Sequence, residues 1–119
     1  MRAEELKGHL DAVLLATLEG GPRHGYAVIE ALRQSTGGRL DLPTGTIYPA
    51  LRRLEQAGLI AGTWSVVGGR RRREYQLTPA GVGALSGRRE AWRDFSAIVT
   101  SALESTGLEN TACPSPNPA

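Results

Sequence analysis

Val66-Val67-Gly68-Gly69-Arg70-Arg71-Arg72-Arg73-Glu74-Tyr75 is the stretch of sequence that decides the fold. Two apolar residues lead into a Gly-Gly pair, and four consecutive arginines follow it. Because glycine adopts positive φ freely, Gly-Gly between two segments able to form strands predicts a β-hairpin with a tight turn. Four guanidinium groups at a hairpin tip repel one another. This turn is therefore either a solvated charged loop or a place where a polyanion binds.

The positive charge of the chain is concentrated in its centre. The 119 residues carry a net charge of +2. Residues 39–78 hold seven arginines against three acidic residues, whereas the segments on either side each hold one more acidic than basic residue. A central basic segment of this kind is the pattern expected of a nucleic-acid contact surface, and it favours the second interpretation of the hairpin.

Length and cysteine content exclude several classes of protein. The chain is long enough for one domain with a modest core. Its single cysteine, Cys113, excludes an intramolecular disulfide and a cysteine-based metal site, which fits a reducing cytoplasmic location. No apolar run approaches the roughly 20 residues of a membrane span, and no apolar block follows the charged N-terminus as in a signal peptide.

Catalytic and metal-binding residues are not predicted. His9 and His24 stand apart from any cysteine or carboxylate cluster at ligand spacing, so no metal site is expected. No Ser/His/Asp constellation or glycine-rich phosphate loop occurs, so neither catalytic activity nor a bound cofactor is predicted. His24 begins the second predicted helix and is expected either to cap that helix or to contact a phosphate.

Three helices are predicted before the hairpin. Apolar residues recur at helical spacing in residues 9–19, 25–35 and 44–57. Thr44 is expected to cap the third helix, and Gly58 to end it with a residue in the left-handed region. Pro49 lies about one turn inside this helix and removes a backbone N–H. Either the helix begins after Thr44 or its first turn is irregular.

The predicted strands, residues 60–67 and 71–78, have a register that follows from the length of the turn. With a loop of two or four residues, the residue numbers of any two directly paired residues add up to an odd number. Arg70 and Arg72 then point to the face opposite Trp64, and Arg73 lies beside Trp64, where a cation–π contact is expected. The face that carries Trp64 also holds Val66, Arg71, Arg73, Tyr75 and Leu77.

Thr78 and Pro79 mark the start of a long final helix, with Thr78 as its cap. The apolar stripe of this helix needs a partner, and pairing with a second copy of the chain is the economical solution. Residues 108–119, rich in proline, are predicted to form a disordered tail. The stripe that is expected at the interface comprises Leu85, Trp92, Phe95, Val99 and Leu103.

These elements predict a mainly α protein with a small β-hairpin. Residues 1–78 are expected to form a winged helix-turn-helix DNA-binding domain, and residues 79–107 a dimerisation helix. In this fold the third helix enters the major groove and selects sequence, while the hairpin, called the wing below, grips the neighbouring DNA. The expected DNA-binding residues are His24, Tyr26, Thr44, Thr46, Tyr48, Arg52, Arg53, Gln56, Arg70, Arg71, Arg72, Arg73 and Tyr75.

From Leu6 to about Leu103 the chain resembles the PadR family of bacterial transcriptional regulators. The resemblance rests on residues 6–10, 21–26, 45–60 and 68–81, which include Gly-Thr-Ile-Tyr-Pro-Ala-Leu and Gln-Leu-Thr-Pro-Ala-Gly. A Tyr-Pro pair inside the third helix is usual in that family. The resemblance implies a homodimer of the compact branch, joined through its C-terminal helix, that binds a roughly palindromic double-stranded DNA operator. It also implies repression that a small molecule relieves.

Two questions stay open at this point. Trp92 resembles a position that, in the multidrug-responsive branch of the family, lines a pocket for flat aromatic effectors, but the simpler interpretation is that it is a packing residue of the dimer helix. The winged helix is alternatively a protein-interaction module that meets an acidic partner without reading DNA. Arg52, Arg53 and Gln56 on the outer side of the third helix favour DNA, because an interaction module has no need to expose them beside a basic wing.

Overall fold

A computed structural model describes residues 8–112 of the chain, with side chains to Ser105. Cys113 and the last part of the predicted tail lie outside the described residues. Within the described part, no helix is long and apolar enough to cross a membrane. The elements are α1 (Leu10–Thr17), β1 (Arg23–His24), α2 (Gly25–Ser35), α3 (Thr44–Gln56), β2 (Ile60–Val67), β3 (Arg70–Leu77) and α4 (Pro79–Ala112).

The core forms where the first three helices meet the base of the sheet. Each of these helices has an apolar face that is buried, as its periodicity predicts. Aliphatic side chains supply almost all of this core, which agrees with the aromatic content of 5%. Its most deeply buried members are Leu14, Leu15, Val28, Ile47, Leu51, Leu54 and Ile60.

The wing has the predicted register. Gly68 and Gly69 have φ angles of 60° and 78°, as a two-residue turn with both residues in the left-handed region requires. Val67 therefore pairs with Arg70, and Trp64 with Arg73. The predicted register is therefore confirmed, because the residue numbers of each pair add up to an odd number. The predicted division of the four arginines between two faces of the wing is confirmed with it.

A third strand, which the sequence analysis did not predict, adds to the wing. Arg23 and His24 form β1 and pair antiparallel with Tyr75 and Glu74, giving the strand order β1-β3-β2. A strand of two residues has no periodicity to detect, and it exists only because β3 offers a free edge. Its consequence is functional, because it joins the start of α2 to the wing.

The third helix begins at Thr44, and Thr44 does not cap it. Pro43 occupies the N-cap position without a side-chain hydrogen bond, and its carbonyl accepts from the N–H groups of Thr46 and Ile47. Pro49 lies inside the helix, so the first of the two predicted alternatives is wrong. Gly58, with φ of 79°, ends the helix as predicted, and the N–H of Leu59 bonds to the carbonyl of Leu54 in the closing turn.

The fourth helix begins at its predicted cap, since the hydroxyl of Thr78 accepts the N–H of Gly81 at 3.0 Å. The helix continues to Ala112, past the predicted boundary at 107. The chain divides into two compact units, one up to Ser86 and one from Gly87. The first unit therefore extends beyond the predicted limit at 78. It includes Leu85, which is buried in its core and is not part of an exposed stripe as predicted.

Candidate nucleic-acid interface

One side of α3 carries exposed polar side chains, opposite the face that α3 buries in the core. Arg52 and Gln56 are exposed one turn apart, and Thr44 is exposed at the start of the helix. Thr46 is half-buried, and Tyr48 is 38% exposed. The apolar face of α3 thus anchors the helix in the core, while its polar face is exposed. A helix needs this arrangement to insert into a DNA groove.

Tyr48 is fixed against the start of α2. A Cβ atom at Gly25 would lie 2.3 Å from Cε1 of the Tyr48 ring, so the ring rests directly on the glycine backbone. The ring can be there only because position 25 has no side chain. This contact joins α2 to α3 and sets the angle at which α3 is presented.

His24 caps α2, which confirms the first of its two predicted roles. Its Nδ1 atom accepts the backbone N–H of Ala27 at 3.3 Å, and the residue also pairs with β3 through its backbone. Tyr26, in the first turn of the same helix, is 60% exposed. The N-terminus of α2 thus lies beside the wing, with an exposed aromatic hydroxyl group next to it.

Two guanidinium groups lie over one indole ring on the wing. The Cζ atom of Arg71 is 4.6 Å, and that of Arg73 5.4 Å, from the centroid of the Trp64 ring. The contact with Arg73 was predicted, whereas the shorter one with Arg71 was not. Trp64 nevertheless remains 58% exposed, so this aromatic and cationic surface faces solvent.

The two arginines differ in their other partners. Arg73 forms an ion pair with Glu55 of α3, and the hydrogen bond that its guanidinium donates to the Glu55 carboxylate raises the pKa of Arg73. Among the described residues, Arg71 forms no ion pair. On the opposite face, Arg72 lies 3.9 Å from Glu74, and Arg70 is exposed beside the turn.

Tyr75 was predicted to contact DNA, and the structure corrects this. The residue is 7% exposed and belongs to the core. Burial raises the pKa of its phenol, with a further contribution from the nearby Glu55 carboxylate. Its side chain follows the inward alternation of β3, and β1 covers the strand edge next to it. Tyr75 therefore supports the surface from inside.

A cleft of about 430 Å³ opens between α3 and the wing. Six of the predicted DNA-binding residues line it, so the fold brings them together from three separate segments. The lining also includes Glu55, which was not predicted, because a glutamate close to two arginines on a helix is typical of a solvated face. The lining residues are His24, Gly25, Tyr48, Arg52, Glu55, Trp64, Arg72, Arg73 and Tyr75.

Arg53 does not share this cleft. Its guanidinium donates to the carboxylate of Asp11 on α1 at 2.8 Å. Adjacent residues on a helix are about 100° apart around its axis, so Arg52 and Arg53 occupy different sides of α3. Of the two arginines that were predicted to act alike, one faces the wing and the other faces α1.

The second unit presents an apolar surface of its own. On α4, Trp92, Phe95 and Leu103 are 51%, 55% and 73% exposed, and Val99 is half-buried. The rings of Trp92 and Phe95 have centroids 6.0 Å apart at an interplanar angle of 40°. All five predicted interface residues lie on α4, but Leu85 is buried, so the other four form this surface.

No group of three or more His, Cys, Asp or Glu residues that could hold a metal ion occurs within residues 8–112. The cleft between α3 and the wing is lined mainly by arginine and aromatic side chains, which suit phosphates and bases.

Comparison with known proteins identifies relatives along most of the chain. A model of the PadR-like family of transcriptional regulators matches residues 14–87. The transcriptional regulator Rv3488 of Mycobacterium tuberculosis is 37% identical over 89 residues, which cover 75% of this chain and 70% of that protein. A crystal structure of a PadR family transcriptional regulator from Eggerthella lenta is 31% identical, with a TM-score of 0.75, and the match covers 85% of this chain and 87% of that one. The structure of a transcriptional regulator from Clostridium thermocellum is 25% identical, with a TM-score of 0.77 and coverage of 83% and 97%.

Proposed function

Because the chain belongs to the PadR-like family of transcriptional regulators, which are DNA-binding proteins and not enzymes, we propose that it is a homodimeric repressor of a pseudo-palindromic operator. The observation that carries this proposal is the cleft between α3 and the wing, where Arg52 of α3 faces the arginines of β3. A protein-interaction module is disfavoured by membership of a family of DNA-binding regulators.

In this proposal α3 selects the sequence. Arg52 and Gln56 lie on the exposed side of the helix, and their side chains are of the types that bond to guanine and adenine edges in the major groove. The fixed angle between α2 and α3, set by Tyr48 on Gly25, orients these side chains. Thr44, Thr46, Tyr48, Tyr26 and His24 border the same surface and are proposed to bond to the sugar-phosphate backbone.

The wing supplies affinity that depends little on sequence. Arg70 and Arg71 are exposed near the tip, where their guanidinium groups are free to bond to phosphate oxygens with two hydrogen bonds each. Such contacts position the protein on the duplex without distinguishing bases. The positive charge of residues 39–78 also attracts DNA over a distance of about one Debye length.

Dimerisation is proposed to occur through α4. Trp92, Phe95 and Leu103 together expose large apolar side chains on one helix, which is costly in water unless a partner covers them. A second copy of the same helix offers a self-complementary surface. Two α3 helices related by a two-fold axis would then meet half-sites about 34 Å apart, one turn of B-DNA.

A small aromatic effector is proposed to bind at Trp92 and Phe95. The two rings are neighbours and about half exposed, so a flat aromatic molecule would gain stacking area on them. In a Trp64→Phe background Trp92 is the sole tryptophan, because the chain has only two. Saturable quenching of its fluorescence by a planar acridine dye, together with release from DNA, would support this role. Absence of quenching would leave Trp92 as a packing residue of the dimer.

The experiment that tests the proposed function is selection of duplexes from a random-sequence pool by the purified protein. A repressor with base-reading side chains is expected to enrich a motif with two-fold symmetry and to bind it more tightly than an unselected duplex. Specific sites are typically favoured by about 10³-fold or more. Enrichment of no motif after repeated rounds would contradict the proposal. For such a regulator the expected location is the cytoplasm, on the nucleoid when bound.

A further inference from the structure

We propose that Glu55 and Arg73 are positioning residues that hold the wing at a fixed distance from α3, so that Arg73 does not bind DNA. This inference rests on the proposed function, because it assigns roles within the DNA-binding surface. It departs from the expectation that all four arginines of the wing grip the duplex alike.

Three contacts occupy the guanidinium of Arg73. One side bonds to the Glu55 carboxylate, a pair in which each side chain is less than one third exposed. The group also lies over the Trp64 ring, with its Cζ atom 5.4 Å from the centroid. Finally it crosses the backbone at Gly62, where an added Cβ would lie 2.6 Å from Nε.

These contacts link the C-terminal turn of α3 to the middle of β3. Glu55 lies in the last turn of α3, and Arg73 near the middle of β3. At the base of the wing, Tyr75 is buried in the core and β1 pairs beside it. The pair of Glu55 and Arg73 adds a link on the side toward the turn, where a two-stranded ribbon would otherwise bend freely.

Arg71 has the opposite character. It is exposed, lies over the same indole, and forms no ion pair within residues 8–112. Its guanidinium therefore keeps its hydrogen-bonding capacity for phosphate. Trp64 thus contacts both an arginine that is paired with α3 and an arginine that is available to DNA.

The direction in which Glu55→Gln changes DNA affinity separates two roles of Glu55. The residue either positions the wing, or it only neutralises Arg73 and so keeps it from binding phosphate, which is called masking below. Glu55→Gln removes a negative charge close to DNA, so simple electrostatics predicts tighter binding and an Arg73 released to grip phosphate. Positioning predicts weaker binding, by about fivefold if the pair contributes at the upper end of exposed ion pairs. Glu74→Gln is the matched control. It removes the same charge from the wing, but its carboxylate lies on the opposite face of β3, near Arg72 and not on Arg73.

The experiment measures affinity for a pool-selected duplex over a range of salt concentrations. Glu55→Gln, Arg73→Gln and the double variant are expected to weaken binding equally, because residues that act as one unit are not additive. Their salt slopes should equal that of the wild type, whereas Arg71→Gln should reduce the slope by about 0.9 per lost phosphate contact. Glu74→Gln should bind as well as the wild type or better.

Two results would overturn the proposal. A slope for Arg73→Gln reduced like that for Arg71→Gln would show that Arg73 binds phosphate. Tighter binding by Glu55→Gln would show that Glu55 masks Arg73. Far-ultraviolet circular dichroism and melting temperatures confirm that each variant is folded, and Glu55→Asp, which retains the carboxylate, should recover most of the affinity.

A readout without DNA separates this proposal from the proposed function. In a Trp92→Phe background Trp64 is the only tryptophan, and its quenching by acrylamide reports how well Arg73 covers it. Glu55→Gln is expected to increase this quenching. If the wild type selects no duplex but Glu55→Gln still increases quenching, the proposed function fails while the positioning contact stands. Unchanged quenching contradicts the contact itself.

Discussion

Asp11 of α1 binds the guanidinium of Arg53 of α3 at 2.8 Å, while the adjacent Arg52 lines the cleft beside the wing. The pair crosses between the first and third helices, and its two side chains are 59% and 25% exposed for Arg53 and Asp11. An ion pair this exposed is largely screened by solvent and contributes at most about 1 kcal/mol. Its greater effect is to commit Arg53 to α1 rather than to the wing side of α3.

Arg52→Ala and Arg53→Ala are therefore expected to differ. Loss of Arg52 should relax the preference at particular bases by about 1–3 kcal/mol, because the proposed bidentate contact to a base edge would be removed. Loss of Arg53 should change base preference little. Competition between single-base variants of the selected duplex measures both effects. Identical changes in preference for the two variants would contradict the division between them.

Two neighbouring glycines of α4 are expected to respond to alanine with opposite signs. A Cβ at Gly81 would lie 1.9 Å from the carbonyl oxygen of Leu59, so Gly81→Ala must displace backbone and should destabilise the protein by about 1–3 kcal/mol. Gly83 has open space around its Cα, so Gly83→Ala should stabilise it by up to about 1 kcal/mol through helix propensity. Urea unfolding measures both free energies. An unchanged or increased stability of Gly81→Ala would contradict the close approach of α4 to Leu59.

Alkaline pH is expected to destabilise the fold through Tyr75. Because burial favours the neutral phenol, the pKa of Tyr75 is raised above its ordinary value of about 10. The folded state then keeps a proton that the unfolded state releases, so the free energy of unfolding falls as pH rises above about 10. Tyr75→Phe should show a smaller fall, since the other tyrosines are common to both proteins. Equal alkaline losses in urea unfolding would argue against a raised pKa.

Association of the chain should depend on one face of α4. At 100° per residue, Leu103 lies on the side of Trp92 and Phe95, and Ser101 lies almost opposite. Leu103→Glu is expected to shift the protein to monomers in sedimentation equilibrium, because it places a charge within the proposed apolar seam. Ser101→Glu adds the same charge to the other face and should leave association unchanged. Loss of association in both variants, or in neither, would rule out this seam.

The register of the wing could be predicted from sequence because it depends on local chemistry. Gly68 and Gly69 require a two-residue turn, and the length of that turn determines every cross-strand pair. The caps at His24 and Thr78 and the end of α3 at Gly58 are local for the same reason. Family resemblance added the presence of Pro49 inside the helix.

Most of the errors concern contacts between residues far apart in sequence. Tyr75 alternates onto the same face as exposed arginines, and only the packing of β3 against the helices shows that it is buried. β1 has no pattern of its own, and Leu85 fits the stripe of α4 as well as it fits the core. Thr44 is a good capping residue in isolation, but Pro43 precedes it with a suitable extended conformation. Glu55 was not predicted because its partner Arg73 lies 18 positions away in sequence and comes beside it only in the folded wing.

The measurement that tests the central claim most directly is the salt dependence of binding to a selected duplex and to an unselected one. If α3 and the wing form a DNA-binding surface, log K should fall linearly with log salt, by about 0.9 for each phosphate contacted. The selected duplex should remain the tighter ligand throughout, because contacts to bases depend less on salt. Affinity that is independent of salt and equal for the two duplexes would contradict the account.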